Sequence, residues 1–196
     1  MFAYLFIIFF SMALISVVNI FFTMTAFDLT IFSVVFTVFI ASFIVFLIDA
    51  VVAFVIHKLP NKWFNPYKKI YHVFGFERNF YESIGIKKWK DRIPEMGQLC
   101  NFKKDKIADI NNNEYVFKFL EETCYAEVLH LFSAFLGFLV ILFFPIKYAF
   151  WITGPVAVVN LFLQILPVFI QRYTRPKLMK IYERNIRISK ISQSVN

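Results

Sequence analysis

The chain has 196 residues, of which 59% are hydrophobic, and its mean hydropathy is +0.63. A soluble domain of this size cannot bury so much apolar surface, and disordered chains are far less hydrophobic. The 21 basic residues outnumber the 13 acidic ones, giving a formal net charge of +8. In so apolar a chain, this excess indicates anionic membrane lipids as partners and no nucleic acid. The composition therefore predicts an integral membrane protein.

Four apolar runs are long enough to cross a hydrocarbon core, which takes roughly 20 helical residues. They cover about 3–24, 29–56, 128–144 and 148–170. No basic residue precedes the first run and no small-residue cleavage site follows it, so we interpret it as a retained helix. The predicted fold class is an all-α integral membrane protein with four transmembrane helices.

The distribution of basic residues predicts the orientation. Residues 57–123 carry 13 Lys or Arg and the basic tail at 172–196 carries 7, whereas residues 25–28 carry none. By the positive-inside rule, both basic regions are cytoplasmic, and so are the N- and C-termini of this multi-pass chain.

The segment 57–123, between helices two and three, mixes aromatic and basic side chains, which both settle at the headgroup level. Its aromatic residues include Trp63, Phe64, Tyr67, Tyr71, Phe74, Phe76, Phe80, Tyr81 and Trp89. Its basic residues include Lys62, Lys68, Lys69, Arg78, Lys87, Lys88 and Lys90. We expect a cytoplasmic interfacial lobe of short helices lying on the leaflet.

Polar residues at the helix ends are candidates for function, because ionisable groups at membrane depth are costly. Asp49 lies near the end of the second run, Glu127 and His130 open the third, and Arg172 and Arg175 follow the fourth. With the predicted topology, all of these ends lie at the cytoplasmic face. The sequence therefore predicts that these groups converge there.

Glu127 and His130 are three residues apart, which places them on one face of a helix. A carboxylate beside an imidazole can orient the ring and support general base catalysis. Glu-x-x-His is also a metal half-site in ferritin-like bundles, but the sequence holds no second copy. We therefore expect no metal. A structural hydrogen bond between helices is the remaining alternative.

Asn160 and Gln164 share a face of the fourth helix, where they are expected to form interhelical hydrogen bonds or to line a substrate groove. Arg172 and Arg175 either anchor the helix at the headgroups or clamp a phosphate or carboxyl group of a donor. The His72-x4-Glu77 spacing is similar to that of glycerolipid acyltransferases, but Glu stands in place of their Asp, so we give it little weight.

Three groups of residues together resemble one family. They are Lys87-Lys88-Trp89-Lys90-Asp91-Arg92-Ile93-Pro94, then Glu122-Thr123 with Ala126-Glu127 and His130, then Gln171-Arg172-Tyr173 with Arg175-Pro176. Their order and spacing are similar to those of the glycosyl-4,4'-diaponeurosporenoate acyltransferases, bacterial enzymes that place a fatty acyl chain on a sugar hydroxyl of a carotenoid glycoside. The resemblance covers about residues 57–185, and the first helix lies outside it.

The resemblance implies a multi-pass acyltransferase of a bacterial cell membrane. It would move a fatty acyl group from acyl-CoA or another activated donor to a hydroxyl of a lipid-linked glycoside acceptor, with no bound cofactor. His130 would act as general base and Glu127 would orient it, while Asn160 and Gln164 would face the acyl or polyene groove. Residues that would bind the donor or stabilise the oxyanion are Trp89, Lys90, Glu122, Arg172 and Arg175. No feature of the sequence indicates an oligomeric state.

Three alternatives stay open. A small membrane methyltransferase would also use a basic C-terminal segment, although the paired Glu-Glu expected after the arginine is missing. A non-enzymatic membrane interaction or immunity-type subunit would use the polar stripes as packing seams. Cys124, which lies close to Glu127 in the sequence, keeps a covalent acyl intermediate open as a variant of the enzymatic reading.

Overall fold

The computed structural model describes residues 2–24, 26–90, 93 and 110–195. Over these residues the chain is helical and contains no β-strand, and four of its helices are long and apolar enough to cross a membrane. The predicted class of all-α membrane protein is therefore confirmed. Cys100, and Asp91, Arg92 and Pro94 of the first resemblance motif, lie outside the described residues.

The chain divides into two compact units, and the first comprises Met1–Lys58 and Leu129–Leu166. It contains α1 (Phe2–Phe22) and α2 (Ile31–His57). Thr30 begins α2 with a capping box, because its hydroxyl accepts a hydrogen bond from the backbone N–H of Ser33. The helix continues past Asp49, so this carboxylate is carried by an apolar helix and does not end it.

Small and β-branched side chains form the core of the first unit, which lets the helices approach closely. The buried members are Val38, Ala41, Val45, Val140, Ile152, Val156 and Ala157. Large phenylalanines on α1 and α2 point outward, as lipid-facing side chains do; Phe32 is 76% exposed and Phe21 is 77% exposed.

The second pair of long helices extends beyond the apolar runs. Helix α5 covers Asn113–Leu136 and continues as a 3₁₀ helix over Gly137–Phe143. After a 3₁₀ turn at Ile146–Tyr148 and a π-helical turn at Ala149–Thr153, α6 covers Gly154–Val195. Hydropathy detects only the apolar part of a helix. The predicted third and fourth helices were therefore too short, because they omitted the charged ends of α5 and α6.

The second unit comprises Leu59–Val128 and Pro167–Asn196. Its short helices are two 3₁₀ turns, Asn61–Phe64 and Lys69–Tyr71, followed by α3 (Gly75–Ser83) and α4 (Ile86–Trp89). Tyr81, Ile86 and Tyr173 form a buried apolar core with Trp89 and Phe169 packed against it. A second core contains Phe119, Leu120 and Leu178. The position of this unit on the leaflet stays a prediction.

The π-helical turn before α6 leaves no room for a side chain at Gly154, which can be tested by substitution. A Cβ atom at this position would overlap the backbone carbonyl oxygen of Ala149, which cannot move without opening the turn. We expect Gly154→Ala to cost about 1–3 kcal/mol of stability and to lower the melting temperature in detergent by several degrees.

Gly75→Ala is the matched control, because nothing lies within 4 Å of a Cβ built there and alanine favours a helix. It should melt at or slightly above the wild-type temperature. Equal melting temperatures for both alanine variants would contradict the packing described for Gly154.

Candidate functional site

The polar side chains that the sequence singled out fall into two clusters, one in each unit. The first, which we call the histidine relay, consists of Asp49, Gln164 and His130 in the first unit. The second, the arginine cluster, consists of Glu77, Glu127, Arg172 and Arg175 in the second unit.

The geometry of the histidine relay assigns a role to each polar atom. Nε2 of Gln164 donates to Oδ2 of Asp49 at 2.6 Å, and Oε1 of Gln164 lies 2.7 Å from Nδ1 of His130. A carboxylate only accepts, so the amide nitrogen faces Asp49 and the amide oxygen faces the ring. An amide oxygen also only accepts, so Nδ1 carries the proton. In the neutral form of the ring, the lone pair therefore lies on Nε2.

Asn160 supports the relay from the same helix as Gln164. Its Nδ2 donates to the backbone carbonyl of Ser133 at 3.2 Å, and its Oδ1 lies 3.4 Å from Nε2 of Gln164. Gly137 leaves room for this amide, since a Cβ there would overlap Nδ2 of Asn160. The structure thus describes Asn160 in the interhelical hydrogen bond that was one of its two expected roles.

Two buried oxygen atoms in and beside the relay lack a partner within strict hydrogen-bond geometry, although the side chains of Asn160 and Ser133 also act on the Asp49 carboxylate as hydrogen-bonding groups. The two atoms are Oδ1 of Asp49 and Oγ of Ser133. Unsatisfied buried polar atoms cost stability and are rare, so each one calls for an explanation. A carboxylate kept in an apolar helix at this cost is a candidate for function.

Arg172 is the centre of the arginine cluster. Its Nε and Nη2 bind the two carboxylate oxygens of Glu77 at 2.7 and 2.8 Å, and its Nη1 donates to Oε1 of Glu127 at 2.5 Å. Nη2 also donates to the carbonyl oxygen of His72 at 2.9 Å. This bidentate geometry uses the planar fork that only arginine provides. Arg172 therefore holds α3 and α5 against α6 within the second unit.

Arg175 is only 2% exposed and is surrounded by acceptors. Its Nη2 lies 2.6 Å from Oε2 of Glu127, and its guanidinium also donates to Oγ1 and the carbonyl oxygen of Thr123 and to the carbonyl oxygen of Tyr71. The guanidinium lies 5.4 Å from the centre of the Tyr71 ring. Two arginines thus balance two glutamates, which makes burial of these charges tolerable.

The structure places the other predicted site residues as follows. The indole nitrogen of Trp89 donates to the carbonyl oxygen of Ile84 at 3.1 Å, and Lys90 and Glu122 are half-buried. Cys124 is fully buried, so no substrate reaches its thiol and the covalent alternative loses its support. Among the described residues, no group of His, Cys, Asp and Glu is arranged to hold a metal ion.

Sequence reasoning named Asp49 as a candidate without giving it a role, and it left Glu77 and Ser133 out of the site. Asp49 is the single charge in α2, and that isolation made it a candidate. Glu77 was named only with His72, and its pairing with Arg172 joins residues 95 positions apart, which no local spacing reveals. Ser133 follows His130 by three residues on α5, but an isolated serine carries no signal of its own.

Fold and site define a helical membrane protein with a histidine held in a chain of hydrogen bonds. The family pattern of CrtO, glycosyl-4,4'-diaponeurosporenoate acyltransferase, matches residues 60–184. This is more than half of the chain, which therefore belongs to that acyltransferase family. No curated protein and no solved structure matches the chain. His130, Gln164 and the whole arginine cluster lie inside the matched range, whereas Asp49 precedes it.

The arginine cluster predicts acid sensitivity. The hydrogen bonds from Arg172 lower the pKa of Glu77 from 4.5 to about 2. Because this pKa is depressed in the folded state, the ion pair contributes full stability above about pH 4.5, and this contribution disappears as the pH falls towards 2. We expect the melting temperature in detergent to fall across that window. Glu77→Gln should cost about 2 kcal/mol at neutral pH and flatten the fall.

Glu82→Gln is the control, because Glu82 forms exposed ion pairs with Lys87 and Arg78 that solvent screens. Its melting curve at neutral pH should match the wild type. A Glu77→Gln variant with the wild-type acid profile would show that the Glu77–Arg172 pair does not contribute to stability.

Proposed function

We propose that this protein transfers a fatty acyl group from an activated donor, such as acyl-CoA, to a hydroxyl of a lipid-linked glycoside such as a glycosylated carotenoid. Membership of the acyltransferase family supports the reaction class. The single observation that carries the mechanism is the hydrogen bond between Nδ1 of His130 and Gln164, because it puts the proton on Nδ1 and the lone pair of the neutral ring on Nε2.

In the proposed reaction, Nε2 of His130 accepts the proton of the acceptor hydroxyl as its oxygen attacks the acyl carbonyl carbon. The tetrahedral intermediate then collapses, the ester forms, and the bond to the carrier breaks. The imidazolium returns its proton to the leaving group, so the ring ends the cycle neutral. The donor's acyl group is the only group transferred, and no covalent enzyme intermediate is needed.

Asp49 and Gln164 act as positioning residues in this scheme. Gln164 fixes the ring orientation and the Nδ1 tautomer, and Asp49 fixes the orientation of the Gln164 amide. The negative charge of Asp49 also favours the imidazolium that forms during the reaction. The spacing of Glu127 and His130 predicts this positioning role for Glu127, and we reassign it because the Glu127 carboxylate pairs with Arg172 and Arg175.

The contacts divide the predicted donor-binding residues into residues that hold the fold and residues that could contact the donor. Arg172, Arg175 and Trp89 are engaged inside the second unit, so we propose that they hold its fold. Lys90 and Glu122 remain proposed contacts of the donor.

We propose that the chain lies in a bacterial cell membrane with both termini in the cytoplasm. Its four apolar helices support insertion into a bilayer. The short helices of the second unit expose aromatic side chains at Trp63, Phe74 and Phe76 beside exposed lysines, which supports a place at the headgroups. A lipid-linked acceptor then reaches the enzyme by lateral diffusion.

His130→Gln tests the mechanism. The variant should insert and fold normally while acyl transfer falls by roughly 10²–10⁴-fold, the usual scale for loss of a general base. The measurement compares lipid extracts of membranes with wild-type or variant protein by mass spectrometry, following one added acyl mass on a glycolipid. Asp49→Asn and Gln164→Leu should reduce the rate less, by about tenfold, because the base is still present.

His57→Gln is the matched control, since this exposed histidine ends α2 away from the relay, and its activity should equal the wild type. Normal turnover by a folded His130→Gln protein would refute the general base. Unfolding of this variant with normal activity per folded molecule would instead assign His130 to packing.

A further inference from the structure

A groove on the second unit has a chemistry that neither cluster uses. Its volume is about 210 Å³, and it is lined by Pro66, Tyr67, Lys68, Lys69, His72 and Met179. We call it the lysine groove. None of these lining residues is acidic, and both lysines are exposed. A concave surface lined by two lysines and a histidine attracts an anion, although Nζ of Lys68 also donates to the carbonyl oxygen of Trp63 at 3.4 Å.

The backbone that lines the groove is held in place by local hydrogen bonds and by hydrogen bonds from the arginine cluster. Oδ1 of Asn65 accepts from the N–H of Tyr67 at 2.9 Å, and the N–H of His72 donates to the carbonyl oxygen of Lys69 at 3.1 Å. The carbonyl oxygens of Tyr71 and His72 accept from Arg175 and Arg172. The arginine cluster therefore fixes the segment that carries the lysines, and a fixed site loses less entropy on binding.

The lining also has an apolar part. Pro66, Tyr67 and Met179 of α6 line the same groove as the lysines. Such a surface suits a phosphate ester, whose charged oxygens contact the ammonium groups while its organic part contacts the ring and the thioether. At about 210 Å³, the groove is large enough for a headgroup and too small for a complete acyl donor.

Glu183 is the carboxylate that opposes this assignment. It lies within electrostatic reach of Tyr67, whose pKa is raised by burial first and then by Tyr182 and Glu183. Glu183 is exposed and is not among the lining residues, so solvent and salt screen its repulsion of an anion.

We infer that the lysine groove binds the phosphate of a phosphate ester, carried either by a nucleotide-linked acyl donor or by an anionic phospholipid headgroup. The donor alternative rests on the proposed function, whereas the phosphate site itself does not depend on His130. Lys68 and Lys69 supply the charge, and Tyr67 and Met179 contact the organic part.

The test measures equilibrium binding to the purified full-length protein in a non-ionic detergent, with coenzyme A in one arm and phosphatidylglycerol in the other. At least one ligand should bind saturably, and the double variant Lys68→Gln/Lys69→Gln should bind it about tenfold more weakly. Saturation by coenzyme A alone identifies a donor site, and saturation by phosphatidylglycerol alone identifies a lipid site. If both bind and compete, the groove accepts either source.

Three variants complete the test. Lys87→Gln/Lys88→Gln removes another exposed lysine pair, on α4 outside the groove, and should bind like the wild type. Glu183→Gln should bind equally well or more tightly, and His130→Gln should bind normally even if it is inactive. Absence of saturable binding in both arms, or equal losses in the two lysine pairs, would overturn the inference. If His130→Gln is inactive but still binds the ligand, the binding site is tested independently of the proposed reaction.

Discussion

A charged side chain carried by an apolar helix must be paired or hydrogen-bonded, because leaving it bare costs several kcal/mol. This constraint accounts for the two polar clusters. In the second unit, Glu127 meets Arg172 and Arg175, so full charges cancel within a closed set of contacts. In the first unit, Asp49 has no arginine among its described contacts, and its negative charge is met by the neutral side chains of Gln164, Asn160 and Ser133.

This difference is the reason that we assign a structural role to the arginine cluster and a catalytic role to the histidine relay. Ion pairs that are geometrically saturated hold elements together and leave little capacity for a substrate. The relay differs because its carboxylate is met by neutral groups: Asp49 accepts a hydrogen bond from the Gln164 amide, and no arginine is among its described contacts. A negative charge that is only partly compensated favours a neighbouring group becoming positive, as His130 does when it accepts a proton.

The sequence predicted the features that depend on composition and local spacing. Apolar runs identified the four long helices, and ordered motifs identified the family. The bounds of α5 and α6 were predicted too short because their ends are amphipathic; Val116 and Leu120 are buried there beside polar neighbours. Helix α6 also continues through Pro167 and Pro176, where local propensity favours a break.

The partners of the candidate residues were beyond local reasoning. The three-residue spacing of Glu127 and His130 suggested a pair on one helix face. The structure gives Glu127 partners 45 and 48 residues later, and gives His130 a partner 34 residues later. Pairing between distant residues depends on how the helices pack against one another. Residue spacing within one helix gives no information on that packing.

The central claim is that Gln164 holds the neutral ring of His130 as the Nδ1–H tautomer, with Nε2 as the base. The most direct measurement is the ¹⁵N NMR spectrum of histidine-labelled protein above the pH at which the rings are neutral. The chain has 3 histidines, so the His130 signals are those absent from His130→Gln. The account predicts a protonated Nδ1 and an unprotonated Nε2, with this preference lost in Gln164→Leu. A wild-type ring protonated at Nε2 would contradict it.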